Sequence, residues 1–193
     1  MESGFIYFLD NPDLFNLLKT DFYSNPELAH ENRGKQNLER HMGTLNKYNF
    51  SGLEKDFWEN HIELFEYLNE FTYPRDPEYY ICSSWIKHYI EGSFSGLHAE
   101  SQDWGMGRDQ HTNVILIDQA EDIIGGMNVI AGDSYQLNKD PNSKGNLRER
   151  LLTRFLEKPG DAIVWDANAV HGVSKIEKGY RLVLVCIKIK MER

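Results

Sequence analysis

In the stretch SGLHAESQDWGMGRDQHTNVILID, from Ser95 to Asp118, an imidazole and a carboxylate stand two residues apart, His98 and Glu100, ahead of a Gly-rich polar loop and an apolar run. Alternate residues of a strand point to one face, so these two side chains can converge on one point. A second imidazole, His171, follows the run DAIVWDANAV, and Arg181 opens the last apolar run ten residues later. Two imidazoles and one carboxylate on one face of a divalent ion form the facial triad of non-haem Fe(II) sites, which leaves coordination positions open for a co-substrate and dioxygen. An arginine beside such a centre offers a planar fork to a carboxylate. An H-x-E pattern by itself recurs by chance, and its weight here comes from the company of His171 and Arg181. His111, which opens the run TNVILID, is the alternative imidazole for such an ion, against the plainer role of a strand-end histidine facing water or a neighbour.

The elements that must hold these residues are legible as a change of period along the chain. Asn11 to Phe22 and Gly52 to Phe71 repeat apolar residues at three and four, as in Leu53, Phe57, Ile62, Phe65, Leu68 and Phe71, and predict amphipathic helices. Pro74 and Pro77 then punctuate the chain. From Tyr79 onward short β-type runs follow one another: YYICSSWIKHYI, TNVILID, GGMNVIAG, DAIVWDANAV and YRLVLVCIKI. Arg181 to Ile189 is apolar on both alternating faces, as befits a strand with one face toward a barrel interior and the other under covering helices. The polar segment Asp133 to Gly160 reads as an excursion between strands, with a short helix over Leu147 to Leu156. The expected class is α+β, mainly β: one domain over residues 1–193, with 1–75 as helical support and 79–190 as the β core.

Composition narrows the function. A chain of 193 residues is long enough to bury a core without metal or disulfide staples, so a metal here would be functional. The formal net charge of −9 disfavours a nucleic acid or an anionic membrane as partner, since both require a positive field. The first residues, MESGFIYFLDNPDLF, resemble neither a signal peptide nor a membrane span, and a cytoplasmic location is expected. Cys82 and Cys186, the two cysteines, each lie in an apolar run and read as reduced core thiols.

Taken in order, YIEGSFSGLHAE, TNVILID, IIGGMNVI, PGDAIVWDANAVHGV and GYRLVLV resemble the Fe(II)- and 2-oxoglutarate-dependent dioxygenases, most nearly the prolyl 4-hydroxylase-like branch. The resemblance spans about Ser84 to Ile189. It implies a double-stranded β-helix, a cupin-like jelly-roll barrel, with the metal ligands falling on His98, Glu100 and His171. It further implies that Arg181 binds the far carboxylate of 2-oxoglutarate, that Tyr89 is a co-substrate contact, and that Gly125 and Gly126 are the family's Gly-Gly. Glu100 stands where most of that branch carries aspartate, a departure from the prolyl hydroxylases proper. The presence of a carboxylate there argues against a halogenase. The implied activity is hydroxylation of a small molecule or peptide, a prolyl or other amino-acid residue among the options, with Fe(II), 2-oxoglutarate and O2 consumed or held and ascorbate as a candidate accessory. Succinate and carbon dioxide are released, and desaturation or ring closure are variants of the same chemistry.

Plainer roles exist for several of these residues. Tyr89 also suits a core tyrosine, and Arg181 a strand-end surface arginine. The loop SQDWGMGRDQ supplies Trp104 and Arg108 as candidate substrate contacts, since loops at a barrel mouth carry specificity. Trp165 is a further candidate, equally suited to the core. The competing function is a non-catalytic cupin-like protein that binds a metal or ligand without turnover. A binding module has no need of a co-substrate anchor at Arg181. Monomer and homodimer are both compatible with the sequence.

Overall fold

The structure is a computed structural model and describes residues 3–32, 37–46, 49–51, 55–99, 109–133, 151–166 and 169–190. In chain order the elements are β1 (Phe5–Phe8), α1 (Pro12–Ser24), a 3-10 turn (Pro26–Leu28), β2 (His30–Asn32), β3 (Asn37–Asn46), β4 (Asn49–Ser51), α2 (Lys55–Asn60) and α3 (Ile62–Phe71). There follow β5 (Tyr79–Tyr89), β6 (Ser95–His98), β7 (Gln110–Gln119), β8 (Ile124–Gly125), β9 (Asn128–Asp133), β10 (Leu152–Arg154), β11 (Asp161–Asp166), β12 (Ala169–Val173), β13 (Ile176–Lys178) and β14 (Arg181–Lys190).

A main sheet runs β1-β11-β7-β14-β5-β3-β2 with β4 added beside β3, and a smaller one runs β10-β9-β12-β6. The alternation within β14 decides what each face of the main sheet covers. Leu182, Leu184 and Cys186 join a cluster with Leu14, Leu18 and Phe22 of α1 and with Phe65 and Leu68 of α3. Val183, Val185 and Ile187 join a second cluster with Trp85, Leu116, Ile163 and Trp165 of the main sheet and Ile130 and Ala169 of the smaller one. One face of the main sheet therefore carries the helices, and the other closes a barrel interior against the smaller sheet, as expected for a strand apolar on both sides.

Helix α1 starts where Asn11 accepts a hydrogen bond from the Leu14 backbone N–H at 3.0 Å, with Pro12 in the first turn. The predicted helix over Gly52 to Phe71 is divided, since His61 leaves helical geometry between α2 and α3. The break lets Trp58 reach the sheet, where its indole donates to Ser84 Oγ at 2.9 Å, while Phe65 and Leu68 bury separately.

Three expectations are corrected. Residues 1–75 supply β1 to β4 as well as helices, and β3 lies directly beside β5. The sequence of β3 hides this because Glu39 and Arg40 read as solvated; both are buried, Glu39 against Lys87 at 3.3 Å and Arg40 against Asp21 of α1 at 2.6 Å. DAIVWDANAV is two strands in different sheets, β11 and β12. In the segment Leu147 to Leu156, the described part forms β10 paired with β9 instead of helix, because an open strand edge offers Leu152 to Arg154 a ladder. The rest of that segment lies outside the described residues. Cys82 and Cys186 are free, buried thiols. Among the described residues no helix is long and apolar enough to cross a membrane.

Candidate active site

The two imidazoles meet because β6 and β12 pair antiparallel with the Cα of His98 opposite that of His171. Their ring centroids are 4.4 Å apart, with the planes at 53°. Each ring is tied to its own strand: His98 Nδ1 lies 2.8 Å from the Gly96 carbonyl and His171 Nδ1 lies 3.0 Å from the Ala169 carbonyl. A carbonyl only accepts, so in the neutral ring Nδ1 carries the proton and Nε2 keeps its lone pair. This backbone-held tautomer is the usual state of a metal-binding histidine. His171 is buried and packs against Trp165 at 4.4 Å, whereas His98 is half-buried and stands toward the opening. Gly172 makes the approach possible, since a Cβ there would sit 2.6 Å from the Ser95 carbonyl oxygen on β6.

At the other end of the same pocket, Arg181 opens β14 with its Cα opposite Tyr89 on β5 and Gln119 on β7. It is 1% exposed. Its guanidinium donates to the carbonyls of Gly126 and, at 3.1 Å, Leu156, and lies 5.1 Å from the Phe155 ring. Among the described residues Nε has no hydrogen-bond partner and no carboxylate pairs with the guanidinium. Burial lowers its pKa to about 10, which still leaves a cation at neutral pH. A buried cation met by neutral carbonyls and an aromatic ring is costly, and a carboxylate is the group that relieves it. Gly125 and Gly126 form the turn that aims the acceptor: both have positive φ, and a Cβ on Gly125 would meet the Lys175 carbonyl oxygen at 2.0 Å. The residues present thus fit a divalent ion at one end of the pocket and a carboxylate at the other.

One pocket joins the two ends. Tyr89 and Trp165 both line it. The sequence singles out none of four further lining groups: Lys87, Ser95, Thr112 and Asn128. Lys87 shares a strand face with Tyr89, and that i, i+2 parity was the available signal. Among the described residues Ser95 Oγ, Thr112 Oγ1 and Trp165 Nε1 find no hydrogen-bond partner, so the wall offers both donors and acceptors to a polar guest.

The remaining candidates divide. Glu100, Trp104 and Arg108 lie outside the described residues, and among the described residues no three His, Cys, Asp or Glu side chains gather as a metal site. His111, the alternative ligand, takes the opposite strand parity from Thr112 and packs its ring on Tyr79 at 5.5 Å, away from the pocket. Burial lowers its pKa, with Asp166 opposing, as befits a partly covered structural histidine.

No family model matches the sequence, and no curated protein matches it. Solved structures do match. A 2OG-Fe(II) oxygenase family oxidoreductase from Burkholderia pseudomallei superposes with a TM-score of 0.62 at 17% identity, over 96% of this chain and 84% of that one. A Pseudomonas putida prolyl-4-hydroxylase gives 0.60 at 12%, over 100% and 95%. EctD from S. alaskensis with bound Fe gives 0.65 at 14%, over 96% and 72%. The chain therefore has the double-stranded β-helix fold of the 2OG-Fe(II) oxygenases along essentially its whole length.

Proposed function

We propose that this chain is an Fe(II)- and 2-oxoglutarate-dependent dioxygenase that hydroxylates a small molecule or an amino-acid residue, free or in a peptide. The observation that carries the reading is Arg181, a buried guanidinium with an unpartnered Nε and no paired carboxylate among the described residues, sharing a pocket with two facing imidazoles. His98 and His171 would hold the ion through Nε2, with Glu100 as the third ligand. Arg181 would hold the far carboxylate of 2-oxoglutarate, with Tyr89 beside it. When bound, Fe(II) and 2-oxoglutarate supply dioxygen activation coupled to loss of carbon dioxide, yielding succinate and a hydroxylated product.

The protein's own residues then orient and exclude. The carbonyls of Gly96 and Ala169 accept from Nδ1–H of both imidazoles, so that in the neutral rings Nε2 is the atom with a lone pair to offer. Trp165 packs on His171 and limits its rotation. The side chains of Val114, Val183 and Val185 make part of the wall between the two ends apolar, and a lower local dielectric strengthens the pairing of Arg181 with an anion.

The test is anaerobic addition of Fe(II) and 2-oxoglutarate, followed by the charge-transfer absorption that chelation produces, and then succinate formation on admitting oxygen. Wild type should show both, and His171→Ala neither, while retaining the fold by circular dichroism. Absence of the band from wild-type protein would leave the non-catalytic cupin-like binding protein as the better account.

A further inference from the structure

A second cation lines the pocket that holds Arg181. Lys87 stands on β5, faces the barrel interior among the lining residues and is 7% exposed. The strand register fixes how the two cations stand to each other: Arg181 of β14 is opposite Tyr89, and Lys87 lies two residues along β5, opposite Val183. Residues so placed share a face and are diagonal neighbours, roughly 7–8 Å apart at Cα, a span that two long side chains can close. Inside the protein Lys87 has a charge for company and little else. Its Nζ lies 3.3 Å from Oε1 of Glu39, opposite it on β3, and 5.4 Å from the Trp85 ring. The contact with Glu39 lacks hydrogen-bond geometry, and among the described residues Nζ makes no hydrogen bond. An ammonium has three N–H donors, so a pocket-lining lysine in this state has donors left for a guest.

Charge decides what that guest is. Arg181, Lys87 and Glu39 together carry one net positive charge, which a single carboxylate brings to zero; a neutral guest leaves it and a cation doubles it. Two carboxylate oxygens offer about four acceptor sites, enough for a guanidinium fork from one side and an ammonium from the other. We propose that Lys87 is a second anchor for the far carboxylate of 2-oxoglutarate. Arg181 supplies the planar fork and most of the affinity. Lys87 adds a charge-assisted hydrogen bond that makes the pocket select 2-oxo acids bearing a second carboxylate. This rests on the pocket being the oxygenase site proposed above. The plainer role for Lys87 is to neutralise the buried Glu39 and nothing more.

The test is titration calorimetry of the full chain loaded with Zn(II) in place of Fe(II). It compares 2-oxoglutarate with 2-oxobutanoate, which has the same keto-acid head and no far carboxylate. Lys87→Met should bind 2-oxoglutarate about tenfold or more weakly than wild type, the worth of one charge-assisted hydrogen bond, and 2-oxobutanoate equally well. Glu39→Gln, which takes away the negative neighbour, should bind 2-oxoglutarate at least as tightly as wild type. Should Lys87→Met fail to fold with Glu39 left buried beside no cation, Lys87→Met combined with Glu39→Gln removes both charges and should show the same selective loss. An equal loss for both keto acids, no loss for 2-oxoglutarate, or a loss in Glu39→Gln matching that in Lys87→Met would make the lysine a structural partner of Glu39 and overturn the proposal. Glutarate carries the far carboxylate without the keto-acid head and is titrated into metal-free protein, where Lys87→Met should again weaken binding about tenfold. Failure of wild type to take up metal and either keto acid sinks the oxygenase reading alone, since the glutarate titration still decides on Lys87: binding no weaker in the variant overturns its role as an anchor.

Discussion

Replacing Arg181 by Met separates what the guanidinium costs the fold from what it contributes to ligand binding. Its burial lowers the pKa from 12.5 to about 10, equivalent to roughly 3 kcal/mol of unfavourable desolvation. Met removes that penalty and leaves the carbonyls of Gly126 and Leu156 without their donor, at roughly 1–3 kcal/mol each. The two effects oppose, so the free variant should lie within about 3 kcal/mol of wild type in urea unfolding. Binding offers no such cancellation. A carboxylate brought into the pocket of the variant would be buried without its cation, a loss of about 3–5 kcal/mol, or on the order of a hundred- to a thousandfold in affinity. Wild type should gain about 2.7 kcal/mol of stability at 2-oxoglutarate a hundredfold above its dissociation constant, and Arg181→Met almost nothing at that concentration. Unfolding curves with and without 2-oxoglutarate read both numbers from one protein. A variant bound by 2-oxoglutarate within threefold of wild type would refute the assignment of the guanidinium as the anchor.

Two further substitutions test the scaffold. Gly172→Ala forces a Cβ to 2.6 Å from the Ser95 carbonyl oxygen, so β6 and β12 must part beside the imidazoles; stability should fall by about 1–3 kcal/mol, and Co(II) binding followed by absorbance should weaken in step, whereas an unchanged cobalt affinity would show the imidazole pair to be insensitive to that strand contact. Lys188 is buried on the helix side of β14 and donates to the carbonyls of Asn69, Thr72 and Pro74 at 2.8, 3.1 and 2.7 Å, tying the end of α3 to the sheet. Lys188→Met should cost roughly 3 kcal/mol by orphaning these acceptors. Burial lowers the Lys188 pKa to about 8 from 10.5; between those values the unfolded chain holds a proton that the folded one has released, so the contribution of Lys188 to stability rises with pH across that window. Urea midpoints at pH 7.5 and 9.5 check this: the gap between wild type and variant should widen at the higher pH, and a narrowing gap would reverse the sign.

Much of the barrel was legible because its signals are local. β14 alternates apolar residues on both faces, and that pattern alone implies cover on two sides. The offset of two between His98 and Glu100, the HGV around His171 and the arginine ten residues beyond it lie on the chain itself. So does the Gly-Gly of 125 and 126, whose positive φ explains the residue type. β3 was not legible. Its charges look solvated in one dimension, and partners distant in sequence, Asp21 on a helix and Lys87 on the neighbouring strand among them, make their burial tolerable. Thr112 carries no signal either, because a buried hydroxyl that finds no partner among the described residues is recognisable only once everything around it is in position.

What this sequence indicated unaided is the position of the main strands of its second half and the candidate groups for a metal and for a carboxylate, since both depend on residue type and on periods of two to four. Tertiary structure decided that His171 faces His98 and not some other residue, that Arg181 is buried without a paired carboxylate among the described residues, and that His111 stays outside. Those outcomes depend on strand register between segments some seventy residues apart. A register slip of one residue would send every side chain of a strand to its other face, and only the packing of both cores against the whole sheet forbids it.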